Sequence, residues 1–324
     1  MRAIVVDRWM EPADLRLGEA PEPELAPGTL AVEVRAAGCN FFDILMVRGQ
    51  YQVKPPFPFV PGAELAGVVR AVGPGVEGFA DGDRVLASVP LGAFAERAVV
   101  PARGAWRMPE GMSFAAGASF PIVYPTSYAA LVFRAALQRG ETLLVHAAAG
   151  GVGIAAVQIG KALGARVVAT AGGADKLEVA RRAGADAAID YRGGDWVEQV
   201  RAATGGRGAD VIYDPVGGDV FDASLKCIAW SGRLLVIGFA SGRIPEVKLN
   251  RVLLKNIALV GLHWGAYAMH EPQRIAETFR ALFALYAAGK IAPVIFRAYP
   301  LAELPEALAA LGSRRTYGKV VVTP

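Results

Sequence analysis

The spacing of apolar and polar positions changes character near Ser119. Before it the chain carries short strand-like runs at 3–6, 30–36, 64–72, 83–87 and 94–100, separated by the turn signals PGT, VGPGV and PEGM. Helical periodicity is scarce there, so this part predicts a mostly β unit. After it the pattern alternates. Strands are expected at 142–146, 166–170, 187–190, 210–214, 233–238 and 257–262, with helices between them at 175–183, 195–203 and 221–229. Six strands with intervening helices describe a doubly wound parallel sheet. The remainder holds a long helix at 271–288, a shorter one from Ala302 and a final strand at 319–323. This tail is expected to pack on the β unit, giving domains 1–121 plus 265–324 around 122–264.

The segment TLLVHAAAGGVGIAAVQIGKALGARVVATAGG, residues 142–173, narrows the chemistry. A buried strand runs into a turn of small residues with Ala148, Gly150 and Gly153 in A-x-G-x-x-G spacing. A helix follows, its apolar stripe passing through Val152, Ala155, Ala156, Ile159 and Leu163. Such a turn lets backbone approach a pyrophosphate, and the helix N-terminus offers N–H groups and the positive end of its dipole. Ala149, Gly150, Gly151 and Val152 are the expected contacts. The end of the second strand then selects the dinucleotide. An NAD site places a carboxylate there to accept the ribose 2′-hydroxyl. This chain has Ala171, Gly172 and Gly173 instead, followed by Lys176, with Tyr191 and Arg192 ending the next strand. The glycines leave room for a 2′-phosphate, a cation stands near it, and Tyr191 suits the adenine. The expected cofactor is NADPH.

Composition removes other classes. With 53% hydrophobic and 20% charged residues, a substantial core is expected and disorder is not. No apolar run reaches the ~18–20 residues of a membrane span. The opening MRAIVVDRWMEPADL reads as a strand rather than a signal peptide. The net charge of +4 comes from 34 basic and 30 acidic residues that are scattered, so no nucleic-acid stripe forms. Cys39 and Cys227 are isolated and make neither a metal motif nor a disulfide framework. A reduced, cytoplasmic protein is expected.

GCNFFDILMVRGQY (38–51), PFVPGAELAGVVRAVGPGV (58–76), HAAAGGVG (146–153), GRLLVIGFASG (232–242) and YGKVVV (317–322) resemble the medium-chain dehydrogenase/reductase superfamily. Within it they resemble the zinc-free NADPH:quinone oxidoreductase, or zeta-crystallin-like, branch. The resemblance implies a GroES-like β catalytic domain and a Rossmann domain, with NADPH in the cleft between them. It also implies that Val216, Ile237, Gly238, Phe239, Leu262, His263 and Trp264 lie at the nicotinamide half. The first zinc ligand of the alcohol dehydrogenases falls on Asn40 and their ligand histidine on Ala63, before Glu64. The four-cysteine structural zinc loop is missing, and Cys39 sits one residue off the ligand position. No metal is expected. Without a Lewis acid, alcohol oxidation is disfavoured and hydride donation to an electron-poor acceptor remains.

By the same resemblance Asn40 stands ready to hydrogen-bond the substrate or the nicotinamide ribose, and Tyr51 lines the active site. Thr126, in YPTSY, contacts the nicotinamide. Each also has a plainer reading: Asn40 satisfying turn backbone, Tyr51 a packed aromatic, and Thr126 the cap of a helix beginning there. Leu45 replaces a second tyrosine common in quinone reductases. Two enzyme readings stay open. One is quinone reduction with solvent protons. The other is reduction of an enone or enoyl thioester with Tyr51 as proton donor. The non-enzyme reading is an NADPH-binding structural or RNA-associated protein. A homodimer is expected through the apolar strand 256–262 at the edge of the Rossmann sheet.

Overall fold

Six strands pair in parallel in the order Ala187–Asp190, Arg166–Ala171, Thr142–Val145, Ala209–Asp214, Ile228–Val236 and Ala258–Gly261. Counted along the chain this is 3-2-1-4-5-6, the doubly wound order. The computed structural model describes all 324 residues, Met1–Pro324. Two compact units divide it, 1–122 with 293–324, and 123–292. The parallel sheet belongs to the second. Its central strands are buried along their length, as in Leu143–Val145, Val167–Ala169 and Val211–Tyr213. Strands covered on both faces read as continuous apolar runs, and for that reason the sequence locates them closely. The strand expected at 233–238 begins five residues earlier and ends at Val236. Ile237, Gly238 and Phe239 are therefore loop.

The first unit contains a seven-stranded sheet. Its path runs Ile295–Pro300, Lys319–Thr323, Thr29–Cys39, Glu64–Val72, Arg84–Ser88 and Ala105–Arg107, and Arg97–Pro101 also pairs with Thr29–Cys39. Leu30, Val32, Leu65, Val69, Val85, Val100, Val320 and Val322 supply its core. The helix Phe41–Val47 leaves the sheet at Asn40, whose backbone N–H donates to the Asp43 carboxylate at 2.7 Å. That reciprocal start is a strong local signal for a helix. The segment 265–292, expected with the β unit, lies in the second unit. Its helix Pro272–Ala287 buries Thr278, Phe279 and Leu282 and packs on the helix Val123–Tyr128.

Candidate functional site

Parallel strands deliver all their carboxyl ends to one edge of the sheet, and the residues assigned to the cofactor sit on that edge. After Val145 comes the turn Ala147–Gly150, and the helix Gly151–Ala162 begins with Gly150 as its N-cap. Ala149 is buried in the turn. A Cβ on Gly150 would meet only the Ala147 carbonyl, at 3.3 Å, so the side facing out of the turn is open. Gly153 has the opposite surroundings. A Cβ there would collide with the Ala147 carbonyl oxygen and lie 2.8 Å from the Ala148 Cα. Gly153 thus lets the helix close on its own turn, and the first-turn N–H groups, lacking partners within the helix, point past Gly150. This cradle fits a pyrophosphate.

Beside it, Gly173 adopts φ 96° and starts the helix Ala174–Arg182, with Lys176 in its first turn. The next strand supplies the opposite wall. A Cβ on Gly172 would lie 2.7 Å from the Tyr191 hydroxyl, and one on Gly173 3.3 Å from the Arg192 guanidinium. Asp190 holds this corner together. Its carboxylate accepts from Gly173 N–H at 3.2 Å and is bidentate on Arg192, the closest contact being 2.6 Å. The arginine neutralises the carboxylate and holds its pKa down, at about 2. The Asp190 carboxylate is thus spent on Arg192 and the Gly173 N–H, which suits a phosphate at this corner, while Asp175 in the first turn of the helix Ala174–Arg182 stands against it. Asp190 and its ion pair went unrecognised in the sequence, because an acid two residues before an arginine has no distinctive spacing.

The other loops are tied to the same edge. The Asp214 carboxylate accepts from Val216 and Gly217 N–H at 2.8 and 3.0 Å. Ile237 N–H donates to the Asp214 carbonyl, and Leu262 N–H to that of Val236. Trp264 packs on Tyr267 with ring centroids 5.2 Å apart, while His263 is exposed. Thr126 lies inside the helix Val123–Tyr128, so it is not the cap of a helix starting there. Its neighbour Ser127 does the anchoring. The Ser127 hydroxyl donates to the Val152 carbonyl at 3.0 Å and meets the Tyr213 hydroxyl at 3.0 Å, linking that helix to the first turn of Gly151–Ala162.

His146, just before the turn, is buried. Its Nε2 lies 2.9 Å from Ser224 Oγ, and its Nδ1 lies 2.8 Å from Thr170 Oγ1. Ser224 donates its own proton to the Val220 carbonyl, so the imidazole donates from Nε2 and accepts at Nδ1. Burial pushes its pKa down to about 3. A neutral ring with both nitrogens engaged is a structural support for the turn.

In the first unit, Asn40 ends the strand Thr29–Cys39 and is 8% exposed. Its Nδ2 donates to Glu64 Oε1 at 2.8 Å, and its Oδ1 accepts from Lys319 Nζ at 2.7 Å. Lys319 Nζ also reaches Glu64 Oε1 at 2.7 Å and the Cys39 carbonyl at 2.8 Å. Glu64 Oε2 accepts from Ile122 N–H at 3.1 Å. Asp43 is buried beside this group, and desolvation raises its pKa to about 7. Tyr51 is half-buried and stacks on Phe42, centroids 5.4 Å apart. Burial first, and Asp43 second, push its phenol above the ordinary value, so it is a hydrogen-bond donor at neutral pH. The YGKVVV motif had marked Lys319 only as part of a family pattern. Its partnership with Glu64 and Asn40 was invisible along the chain.

A catalytic zinc does not fit these residues. No three His, Cys, Asp or Glu side chains converge as ligands. Ala63 offers no donor, the buried Cys39 thiol is pushed up in pKa, and the Lys319 ammonium lies where a dication would be repelled. Residues 151–285 match the family model of zinc-binding dehydrogenases, and 26–110 that of the alcohol dehydrogenase GroES-like domain. A quinone oxidoreductase-like protein 2 homolog of Nematostella vectensis is 41% identical over 300 residues, covering 92% of this chain and 82% of the relative. The Escherichia coli quinone oxidoreductase complexed with NADPH superposes with TM-score 0.92 at 33% identity, each chain covered in full. A mycobacterial protein complexed with NADPH gives TM-score 0.93 at 35% identity, again over both whole chains. With the GroES-like and Rossmann units, this places the chain among oxidoreductases: it belongs to the zinc-free quinone oxidoreductase family of the medium-chain dehydrogenase/reductases.

Proposed function

We propose that the protein binds NADPH on the carboxyl edge of its parallel sheet and uses it to reduce quinones by two electrons, without a metal. The observation that carries this reading is the corner formed by Gly172, Gly173, Tyr191 and Arg192, which lacks the free carboxylate an NAD ribose requires. When bound, NADPH supplies a hydride. The chain's own residues do the rest. Gly150, Gly151 and Val152 present backbone and a helix N-terminus to the pyrophosphate, and Lys176 and Arg192 offset the 2′-phosphate charge. Tyr191 covers the adenine, and Val216, Ile237–Phe239 and Leu262–Trp264 hold the nicotinamide half, with Thr126 beside it. Asn40 donates its second Nδ2 hydrogen to the substrate or the nicotinamide ribose. Tyr51 donates to an oxygen of the bound quinone and orients it, and water supplies the one proton the hydroquinone still needs.

Tyr51 separates this reading from reduction of an enone or enoyl thioester. A positioned acid contributes about 10²–10⁴-fold when carbon must be protonated. An oxyanion is protonated readily by water. Tyr51→Phe is therefore expected to leave kcat on 1,4-quinones nearly unchanged and to raise KM. The measurement is NADPH oxidation against quinones, 2-alkenals and crotonyl-CoA for both proteins. Efficient crotonyl-CoA turnover that collapses in Tyr51→Phe, with poor quinone turnover throughout, would replace the quinone assignment.

Assembly as a homodimer is part of the same proposal. Ala258–Gly261 pairs on one side only, and Trp230, Leu249, Leu253 and Leu254, on the neighbouring strand and the preceding helix, are all 70% or more exposed. An open edge beside such an apolar surface invites a second copy. The expected solution mass is twice the 34.0 kDa of one chain. A monomeric mass at micromolar concentration refutes it.

A further inference from the structure

Lys319 is a buried cation outside the cofactor edge. Its side chain is 5% exposed, that of Glu64 is fully buried, and the two meet at 2.7 Å. An ammonium has three protons, and each has one acceptor here: Cys39 O, Asn40 Oδ1 and Glu64 Oε1. Stability alone does not explain such a pair, since apolar residues of equal volume usually serve a core as well or better. The pair does something that apolar residues cannot. It puts a cation at one end of the Asn40 amide and an anion at the other. A flipped amide would turn Nδ2 toward the ammonium and Oδ1 toward the carboxylate, losing both charge-assisted bonds. Only one Nδ2 hydrogen is used by Glu64. The second has no partner within the chain, and its direction is fixed by the first.

We propose that Lys319 and Glu64 are positioning residues that lock the Asn40 amide as a donor to the reduction site, an inference that rests on the reading of Asn40 given above. The ion pair fills the place of the ligand set missing at Asn40 and Ala63, but its work is orientation rather than polarisation of substrate. Both charges are spent on the amide and on local backbone, so neither reaches a reacting atom. An asparagine held this way has a preorganised proton without having to order itself when the acceptor arrives.

The test removes the lock without leaving a lone buried charge. Glu64→Gln and Lys319→Met are made together, beside Asn40→Ala and the triple variant. The double variant is expected to melt within about 5 °C of the parent and to lose about tenfold or more in kcat with a quinone. NADPH affinity in the double variant should equal that of Asn40→Ala, and a clear difference between the two overturns the lock. Asn40→Ala should show the same loss in kcat, and the triple variant should fall no further than either. Full kcat in a folded double variant, with kcat lost in Asn40→Ala, overturns the lock and spares the reading of Asn40. Full kcat in Asn40→Ala overturns both. Solvent exchange of the Asn40 Nδ2 hydrogens, read by NMR in the unaltered protein, needs no folded variant. The lock predicts exchange at least about tenfold slower than at exposed asparagines. Exchange as fast as theirs overturns it.

Discussion

Replacing His146 by glutamine is expected to cost the protein about 3 kcal/mol less at pH 4 than at pH 7. The buried imidazole has a folded pKa of about 3, against about 6.5 in an unfolded chain. Between those values the unfolded chain holds a proton that the folded one does not, so acid favours unfolding. The contribution is complete above pH 6.5 and is lost as pH falls toward 3. The physical cause is burial: the ring is cut off from water, which disfavours the charged form. Asp43 acts in the opposite direction. Its folded pKa of about 7 makes a contribution that is full below about 4 and lost as pH rises through 7. The two nearly cancel in the parent profile, so the comparison must be between parent and variant. Unfolding free energies from urea titrations at pH 7, 5.5 and 4 decide it. A gap between the proteins that does not change with pH counts against a neutral buried His146.

Gly153→Ala is expected to abolish useful binding of NADPH and NADH alike, on the order of 10²–10⁴-fold. The new methyl group collides with backbone at Ala147 and Ala148, so the turn must open. Losing two hydrogen bonds to a charged pyrophosphate, at about 1.5–3 kcal/mol each, gives that range. Gly150→Ala guards against simple misfolding. Its backbone angles suit alanine, with φ −79°, and its only close contact is at 3.3 Å. It should keep the parent melting temperature yet still weaken both dinucleotides. Lys176→Ala tests the other end of the cofactor. Removal of a single cation near the 2′-phosphate should weaken NADPH about tenfold and leave NADH alone. Fluorescence titration of the two dinucleotides reads all three variants. Equal losses in Lys176→Ala would remove the 2′-phosphate contact, and an unchanged affinity in Gly153→Ala would remove the site from this edge.

The parallel sheet was legible because each central strand is buried on both faces and punctuated by turn residues, so its ends fall within a few positions of the apolar runs. The helix Pro272–Ala287 was equally legible as a helix. Its unit was not, since periodicity says that a face is buried but not against what. The helix Leu249–Lys255 escaped notice because its leucines are exposed in the chain and trace no inward stripe. The helix Phe41–Val47 was missed although Asn40 and Asp43 carry the spacing of a capping pair. Among candidate site residues, the glycine turn could be read from its neighbours in sequence. The setting of Asn40 could not. Its partners are 24 and 279 positions away, and only the antiparallel register of three strands brings them together.

That register governs the order of events at the ribosome. The strand Lys319–Thr323 sits beside Thr29–Cys39, and Lys319 bonds the Cys39 carbonyl across 280 positions. Until residue 319 has been synthesised, the end of the strand Thr29–Cys39 at residues 37–39 lacks its partner strand and Glu64 lacks its cation. The unit 123–292 is continuous in sequence and meets no such wait. The nascent chain therefore completes its nucleotide-binding half while its β half is still an open sheet. During that interval residues 37–39 form an open edge of the kind that other strands can pair with.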